Sequence, residues 1–189
     1  RESFLPTIAL LQKNLDVFEV EAGVDYRLRA LEQVEIFHHP ADAAAEAKMQ
    51  DYFGMVAGEE GKRGGQIEVL GRQIDTLRRG NGVIWFDFKT LCGGPRSQND
   101  YLEIARSYHT VLLSHIPKMT QHQASEARRF TWLVDVFYDH KVKLIATADC
   151  APEGLYTEGT KANEFARTVS RLTEMNSREY LALPHLASA

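Results

Sequence analysis

Phe130, Leu133, Val134 and Phe137 recur at i, i+3, i+4 and i+7, a spacing that gives residues 125–139 one apolar helical face. Asp139-His140-Lys141 breaks the pattern and predicts the end of that helix. Residues 142–148, Val-Lys-Leu-Ile-Ala-Thr-Ala, form a short apolar run with β-branched members, as expected of a strand covered by helices on both faces. Residues 110–116, Thr-Val-Leu-Leu-Ser-His-Ile, have the same character and stop at Pro117. The intervening stretch of about 25 residues suits one crossover unit, so adjacent parallel strands bridged right-handedly by the helix are expected. Ligands of such wound sheets gather beyond the carboxyl ends of the strands, which places Asp149 near any crevice.

Upstream, Phe4, Ile8 and Leu11 share a helical face, and residues 15–20 alternate apolar and acidic side chains as a strand does. A second strand is expected over residues 32–37, with Val24-Asp25-Tyr26-Arg27-Leu28 between the two at a strand exit. After Pro40, the alanine-rich residues 41–57 predict a helix. Residues 58–65, Gly-Glu-Glu-Gly-Lys-Arg-Gly-Gly, have the composition of a flexible linker. Residues 66–70, 73–78 and 83–88, joined at Gly71-Arg72 and Gly80-Asn81-Gly82, predict a three-stranded meander. Helices are expected over 99–107 and 163–175, the latter with Phe165, Val169 and Leu172 inward. Opposite them, Glu164, Arg167, Arg171 and Glu174 are spaced for a ladder of ion pairs along one helix. Thr120 and Gln123 have capping-box spacing ahead of the helix that carries Arg128. The fold class is α/β: a partly parallel sheet with flanking helices plus a small antiparallel β-meander.

Composition narrows the functional classes. With 44% hydrophobic residues in 189 the chain holds enough apolar surface for a core, and a net charge of −4 gives no general attraction to nucleic acid or an anionic membrane. The N-terminal apolar run of residues 4–11 contains Pro6 and follows Arg1-Glu2, which fits neither a signal peptide nor a membrane span, so a cytoplasmic protein without stable membrane insertion is expected. Cys92 and Cys150 suit free thiols in a reducing compartment. The opening without methionine, inside a helical pattern, suggests a piece of a longer protein.

Candidate chemistry is sparse. The seven histidines show no metal-type spacing, and Gly93-Gly94 could mark an anion-binding turn, though two glycines after a strand more often serve the backbone's own geometry. No Gly-x-x-x-x-Gly-Lys-Ser/Thr motif occurs, and His115 and Ile116 stand where a P-loop ATPase of similar layout carries its magnesium-binding acidic pair. Arg128 and Arg129 lie in the first turns of their helix, where the macrodipole disfavours cations and an anion should compensate them. Two readings stand: a phosphate or partner carboxylate, or a structural ion pair with Glu126, Asp135 or a distant acid, the commoner case among surface pairs. At 100° per residue Arg128 falls opposite the apolar stripe and should point outward, whereas Arg129 flanks the core and should hold the more buried ion pair.

These residues bring out a family resemblance. Arg-Glu-Ser-Phe-Leu-Pro-Thr-Ile-Ala-Leu-Leu at 1–11, Gly-Val-Asp-Tyr-Arg-Leu-Arg at 23–29, the block from Trp85 to Pro117, Glu-Ala-Arg-Arg-Phe at 126–130, and residues 135–148 and 164–181 agree in order and spacing with the ZapE-type branch of the ATPase-family-gene-one-like AAA+ proteins. The resemblance spans the chain and is to the carboxyl-terminal portion of such a protein. It implies that residues 1–40 close the AAA+ core and lead into the lid, that 41–65 are helix and flexible linker, and that 66–189 are a C-terminal α/β region. It also implies ATP and magnesium as cofactors of the full-length protein, with the phosphate loop and acidic pair upstream and none bound by this piece. Arg1 matches the arginine that reaches a neighbouring subunit's γ-phosphate, a catalytic role, and Arg27 matches a nucleotide-sensing position. Arg128 and Arg129 become candidates for an interface or regulatory contact. The implied activity is ATP hydrolysis coupled to remodelling of a protein partner, with the FtsZ division ring as the bacterial partner and a homo-oligomer compatible with the class. The alternative is a non-enzymatic α/β protein-interaction module.

Overall fold

The computed structural model describes residues 24–32 and 35–187. Six strands form one sheet in the spatial order β1 (Phe37–His38), β8 (Lys143–Ala148), β7 (Thr110–Ile116), β6 (Val83–Asp87), β5 (Arg78–Gly80), β2 (Lys62–Arg63). The first four run parallel, and β5 and β2 continue the sheet antiparallel. Gln66–Val69 (β3) and Arg72–Asp75 (β4) make a separate two-stranded ribbon. The expected α/β class and the parallel pairing of β7 with β8 are therefore present. The expected meander divides: its first hairpin is the ribbon, and its last strand is a central member of the main sheet.

Helices cover both faces, which is why the parallel strands read as continuous apolar runs. Alternate residues of β6 go to opposite sides: Ile84 and Phe86 pack with Phe130, Leu133 and Phe137 of α5 (Ala124–Asp139), while Val83 and Trp85 pack with Met49, Phe53 and Val56 of α2 (Ala43–Ala57). The first layer also holds α3 (Phe88–Cys92), α4 (Gln98–Ser107) and α6 (Phe165–Met175); the second holds α1 (Val24–Glu32) and Leu181 of α7 (Arg178–Ala182). Phe130 and Phe137 are fully buried, so truncating either to alanine should cost about 3–5 kcal/mol.

Helix ends follow their capping residues. Asp42 accepts from the Ala45 N–H at 2.8 Å and starts α2, and Gly58, at φ 68°, ends it. The expected stop at residues 139–141 has a Schellman geometry: Lys141 takes φ 57°, its N–H reaches the Tyr138 carbonyl at 3.2 Å, and the Val142 N–H reaches Phe137 at 2.9 Å. Buried Phe137 and Val142 supply the apolar contact that accompanies it. The Thr120 N–H donates to Gln123 Oε1 at 3.1 Å, so the expected capping box forms on the 3₁₀ turn that leads into α5.

Three local expectations change. Residues 24–32 form a helix rather than a strand exit, and the following strand is confined to Phe37–His38. The reason is spacing: Leu28 and Leu31 turn one helical face toward α2, a period that local alternation at 34–37 hides. Residues 58–65 carry structure where composition gives a linker. Lys62–Arg63 pairs with Arg78–Gly80, and Gly61 at φ 65° lets the backbone approach the Arg79 carbonyl, where a Cβ would sit 2.7 Å away. Arg78, buried against the Phe53 ring, donates into this turn at the Glu60 carbonyl and carboxylate. The arginines of α6 pair across to α5 instead of along their own helix: Arg167 and Arg171 both bind Asp135, Arg171 also nears Asp139, and Glu174 accepts from Tyr138. The expected helix at 4–11 and strand at 15–20 lie outside the described residues. Among the described residues no helix is long and apolar enough to cross a membrane.

Candidate functional site

Parallel strands deliver their last residues to one edge, and four elements meet there. Asp87 ends β6, Ser114 and His115 lie near the end of β7, Thr147 near the end of β8, and Glu46 occupies the first turn of α2. Trp85 Nε1–H donates to Ser114 Oγ at 2.8 Å, and the Ser114 hydroxyl donates to Glu46 Oε2 at 2.8 Å. The Thr147 hydroxyl donates to Glu46 Oε1 at 2.6 Å and accepts from the His115 N–H at 2.9 Å. His115 takes φ 61° at a register shift between Leu113 and Ile116, which swings its ring out of the strand. There Nδ1 meets Asp87 Oδ2 at 2.7 Å and Nε2 lies 3.6 Å from Glu46 Oε1. Asp149 sits at the same edge, as expected, and accepts from the Lys118 N–H at 3.0 Å.

Chemically this edge is a lock. Ser114 and Thr147 are fully buried and donate to a carboxylate, not to an imidazole, so neither is an activated nucleophile. Glu46 also puts negative charge at the helix start where a phosphate would need donors and cations. The residues present do not fit a nucleoside triphosphate with magnesium at this edge. Among the described residues no group of three His, Cys, Asp or Glu side chains is placed to hold a metal ion. Sequence reasoning missed Glu46 and Asp87; the signals were an acid in the first turn of an alanine-rich helix and an N-cap aspartate, whose Oδ1 accepts from the Lys89 N–H at 2.9 Å.

A second constellation lies on the α5 side of the sheet. Arg72, Arg96, Arg128 and Arg129 line one open cavity of about 410 Å³ with Pro95 and Trp132. Arg128 is exposed and lies over the Trp132 ring, 5.3 Å from its centroid. Arg129 is mostly buried: Nε–H donates to the Cys92 carbonyl at 2.6 Å, and Nη2 lies 3.8 Å from Glu126. The expected outward and inward directions of the pair are thus present, with a carbonyl as the principal partner of Arg129. Asp135 is occupied by α6. Arg72 binds Asp100, a fully buried carboxylate that also caps α4 through the Ser97 N–H at 2.7 Å. Arg96 Nε is buried without a hydrogen-bond partner among the described residues. Burial pushes the neighbouring Cys92 thiol up to about 12. Arg1 lies outside the described residues, and Arg27 lies in α1, where the structure describes the backbone alone.

Comparison with known proteins gives a consistent assignment. The chain is similar to the cell division protein ZapE of Escherichia coli K12, 40% identical over 187 residues that span 99% of this chain and 50% of that protein. It is similar to an uncharacterized protein of Schizosaccharomyces pombe, 33% identical over 82% of this chain and 35% of the relative. It is also similar to Lactation elevated protein 1 homolog B of Danio rerio, 30% identical over 93% of this chain and 35% of the relative. No solved structure matches. The chain spans about half the length of ZapE, and the sequence model of the AFG1-like ATPases matches residues 1–184. The chain belongs to the AFG1-like ATPase family.

Proposed function

We propose that this chain is the carboxyl-terminal part of an ATPase that couples ATP hydrolysis to remodelling of a protein partner in bacterial cell division, with the FtsZ ring as the partner. The match of residues 1–184 to the AFG1-like ATPases carries the reading, and the cell-division name of the relative supports its setting. ATP and magnesium are bound by residues outside this chain, since the carboxyl edge of its sheet is closed by Glu46. Arg1 acts as the finger toward a neighbouring subunit's γ-phosphate, and Arg27 as a nucleotide sensor in a homo-oligomer. The rival reading, a non-enzymatic interaction module, is favoured by the inert chemistry of that edge.

The test compares the full-length protein with this chain. Magnesium-dependent ATP hydrolysis by the former, slowed by Arg1→Ala and Arg27→Ala, and no heat of ATP–magnesium binding to the latter are expected. Tight nucleotide binding by this chain alone would overturn the placement of the phosphate site. A full-length protein that neither binds nor hydrolyses ATP would leave the interaction module as the answer.

A further inference from the structure

The arginine-lined cavity adjoins a second one of about 340 Å³ between α5, α6 and the loop after β8; Ser125, Arg128 and Trp132 line both. The second cavity has a different character, with Ala127, Trp132, Tyr156 and Phe165 in its wall. Its Tyr156 and Phe165 rings meet edge to face with centroids 5.7 Å apart, and both are buried, so the pocket has an aromatic wall. An apolar pocket and a cationic groove thus meet across one exposed arginine and one tryptophan.

The charges in the groove are not equally engaged. Asp100 neutralises Arg72, and Arg129 is held by the Cys92 carbonyl with Glu126 nearby. Arg128 has no ion pair among the described residues and rests on Trp132, and Arg96 has a buried Nε–H without an acceptor. Two guanidinium groups therefore face a groove in a chain whose net charge is −4, where they stand out as a local cationic patch. Arginine forks match carboxylates two oxygens at a time, and aromatic and arginine side chains are the usual anchors of protein interfaces. A polyphosphate would call for a tighter cradle of backbone N–H groups and lysine, and the helix start at α4 is already occupied by Asp100. We infer that the paired cavities dock an acidic peptide segment of a partner protein, with one apolar side chain in the Tyr156–Phe165 pocket and flanking carboxylates on Arg96 and Arg128.

The inference rests on the proposed action upon a protein partner, and it names the chemistry of the segment that is recognised. It requires no nucleotide, so it is tested separately from ATP hydrolysis. The probe is a fluorescein-labelled peptide, Gly-Asp-Glu-Ile-Phe-Asp-Glu-Gly, added to the whole chain and followed by fluorescence anisotropy up to about 1 mM. Saturable binding is expected, weakened about tenfold by Arg128→Glu and by Arg96→Gln, and weakened similarly when salt rises from about 0.05 to 0.5 M. Replacing the peptide's Ile-Phe by Gly-Gly, or its acids by lysine, should abolish binding. Arg128→Glu alters an exposed side chain, so an unchanged melting curve accompanies its loss of binding. Absence of saturation, binding untouched by both substitutions, or displacement by inorganic triphosphate but not by unlabelled peptide would each overturn the inference. So would a peptide-independent dimer that disappears with Arg128→Glu, since a second copy would then be the occupant. Peptide binding by this chain together with a full-length protein lacking ATPase activity would sink the proposed function alone; ATP-driven remodelling without peptide binding would sink the docking site alone.

Discussion

Removing the Glu46 carboxylate tests whether the carboxyl edge of the sheet is a structural lock. Glu46→Ala leaves the Ser114 and Thr147 hydroxyls, both fully buried, without their acceptor. Each orphaned donor costs about 1–3 kcal/mol, while relief of a partly desolvated charge and the helix propensity of alanine return a few tenths. The expected net loss is about 2–5 kcal/mol. Ser114 still accepts from Trp85 and Thr147 from the His115 N–H, so the acceptor sides stay satisfied and the loss should not exceed that range. Glu46→Gln keeps one carbonyl acceptor and should lose about half as much. Urea unfolding followed by tryptophan fluorescence reads the Glu46→Ala loss as a midpoint shift of about 1–2.5 M at an ordinary slope of about 2 kcal/mol/M. A double-mutant cycle with Ser114→Ala should show coupling of about 1 kcal/mol or more. If Glu46→Ala stays within about 0.5 kcal/mol of the parent, or the cycle is additive, the lock does not exist.

Other perturbations have equally definite expectations. Arg129→Ala should cost about 1.5–3 kcal/mol, because it removes a charged donor from the Cys92 carbonyl, whereas Arg128→Ala should stay within about 0.5 kcal/mol; urea midpoints in the reverse order would refute the assignment of faces. His38 is buried beside Tyr52, and burial lowers its pKa from 6.5 despite the opposing pull of Glu35, with Lys48 adding to the lowering. The unfolded chain therefore takes up the proton first, and the stability that His38 contributes is full above pH 6.5 and lost as pH falls through and below that value. His38→Phe should narrow the gap between melting temperatures at about pH 7.5 and about pH 5.5, and an unchanged gap would count against this cause. Burial raises the pKa of both thiols, and Cys92 is fully enclosed while Cys150 is half-buried, so Cys150 should react first with a thiol-specific label under native conditions.

What the sequence made legible follows from how local each determinant is. The helix at 124–139 and the strands at 110–116 and 143–148 announce themselves through side chains within a few residues of each other, and their parallel pairing follows from the length between them. Arg128 and Arg129 were legible in direction for the same reason. The polar lock was not, because Glu46 meets residues 68 and 101 positions away. Nor was the groove, to which Arg72 comes from a ribbon strand and Arg96 from the loop before α4. The ion pairs of α6 show a subtler failure. Spacing allows Glu164, Arg167, Arg171 and Glu174 to pair within the helix, yet Asp135 on α5 draws both arginines because the apolar stripe of α6 brings that neighbour within reach.

The strand order carries one more step. In chain order the parallel strands are β1, β6, β7 and β8, and in space they lie β1-β8-β7-β6, so the chain leaves β1, crosses through α2 and returns strand by strand toward it. In open sheets wound this way the ligand crevice opens beyond the carboxyl end where such a crossing occurs. Here that position is filled by the first turn of α2, with Glu46 bonded to β7 and β8. A sheet laid out to hold a ligand at its edge thus uses the edge to fasten its own helix. Two guanidinium groups without an ion pair among the described residues, Arg96 and Arg128, stand elsewhere, beside the α5–α6 pocket. A fold does not by itself fix a function, and on the proposed reading the two halves of the protein divide the work. That reading assigns nucleotide chemistry to the part outside this chain and recognition to the flank of α5, where a change in charge would alter the partner without disturbing the locked edge.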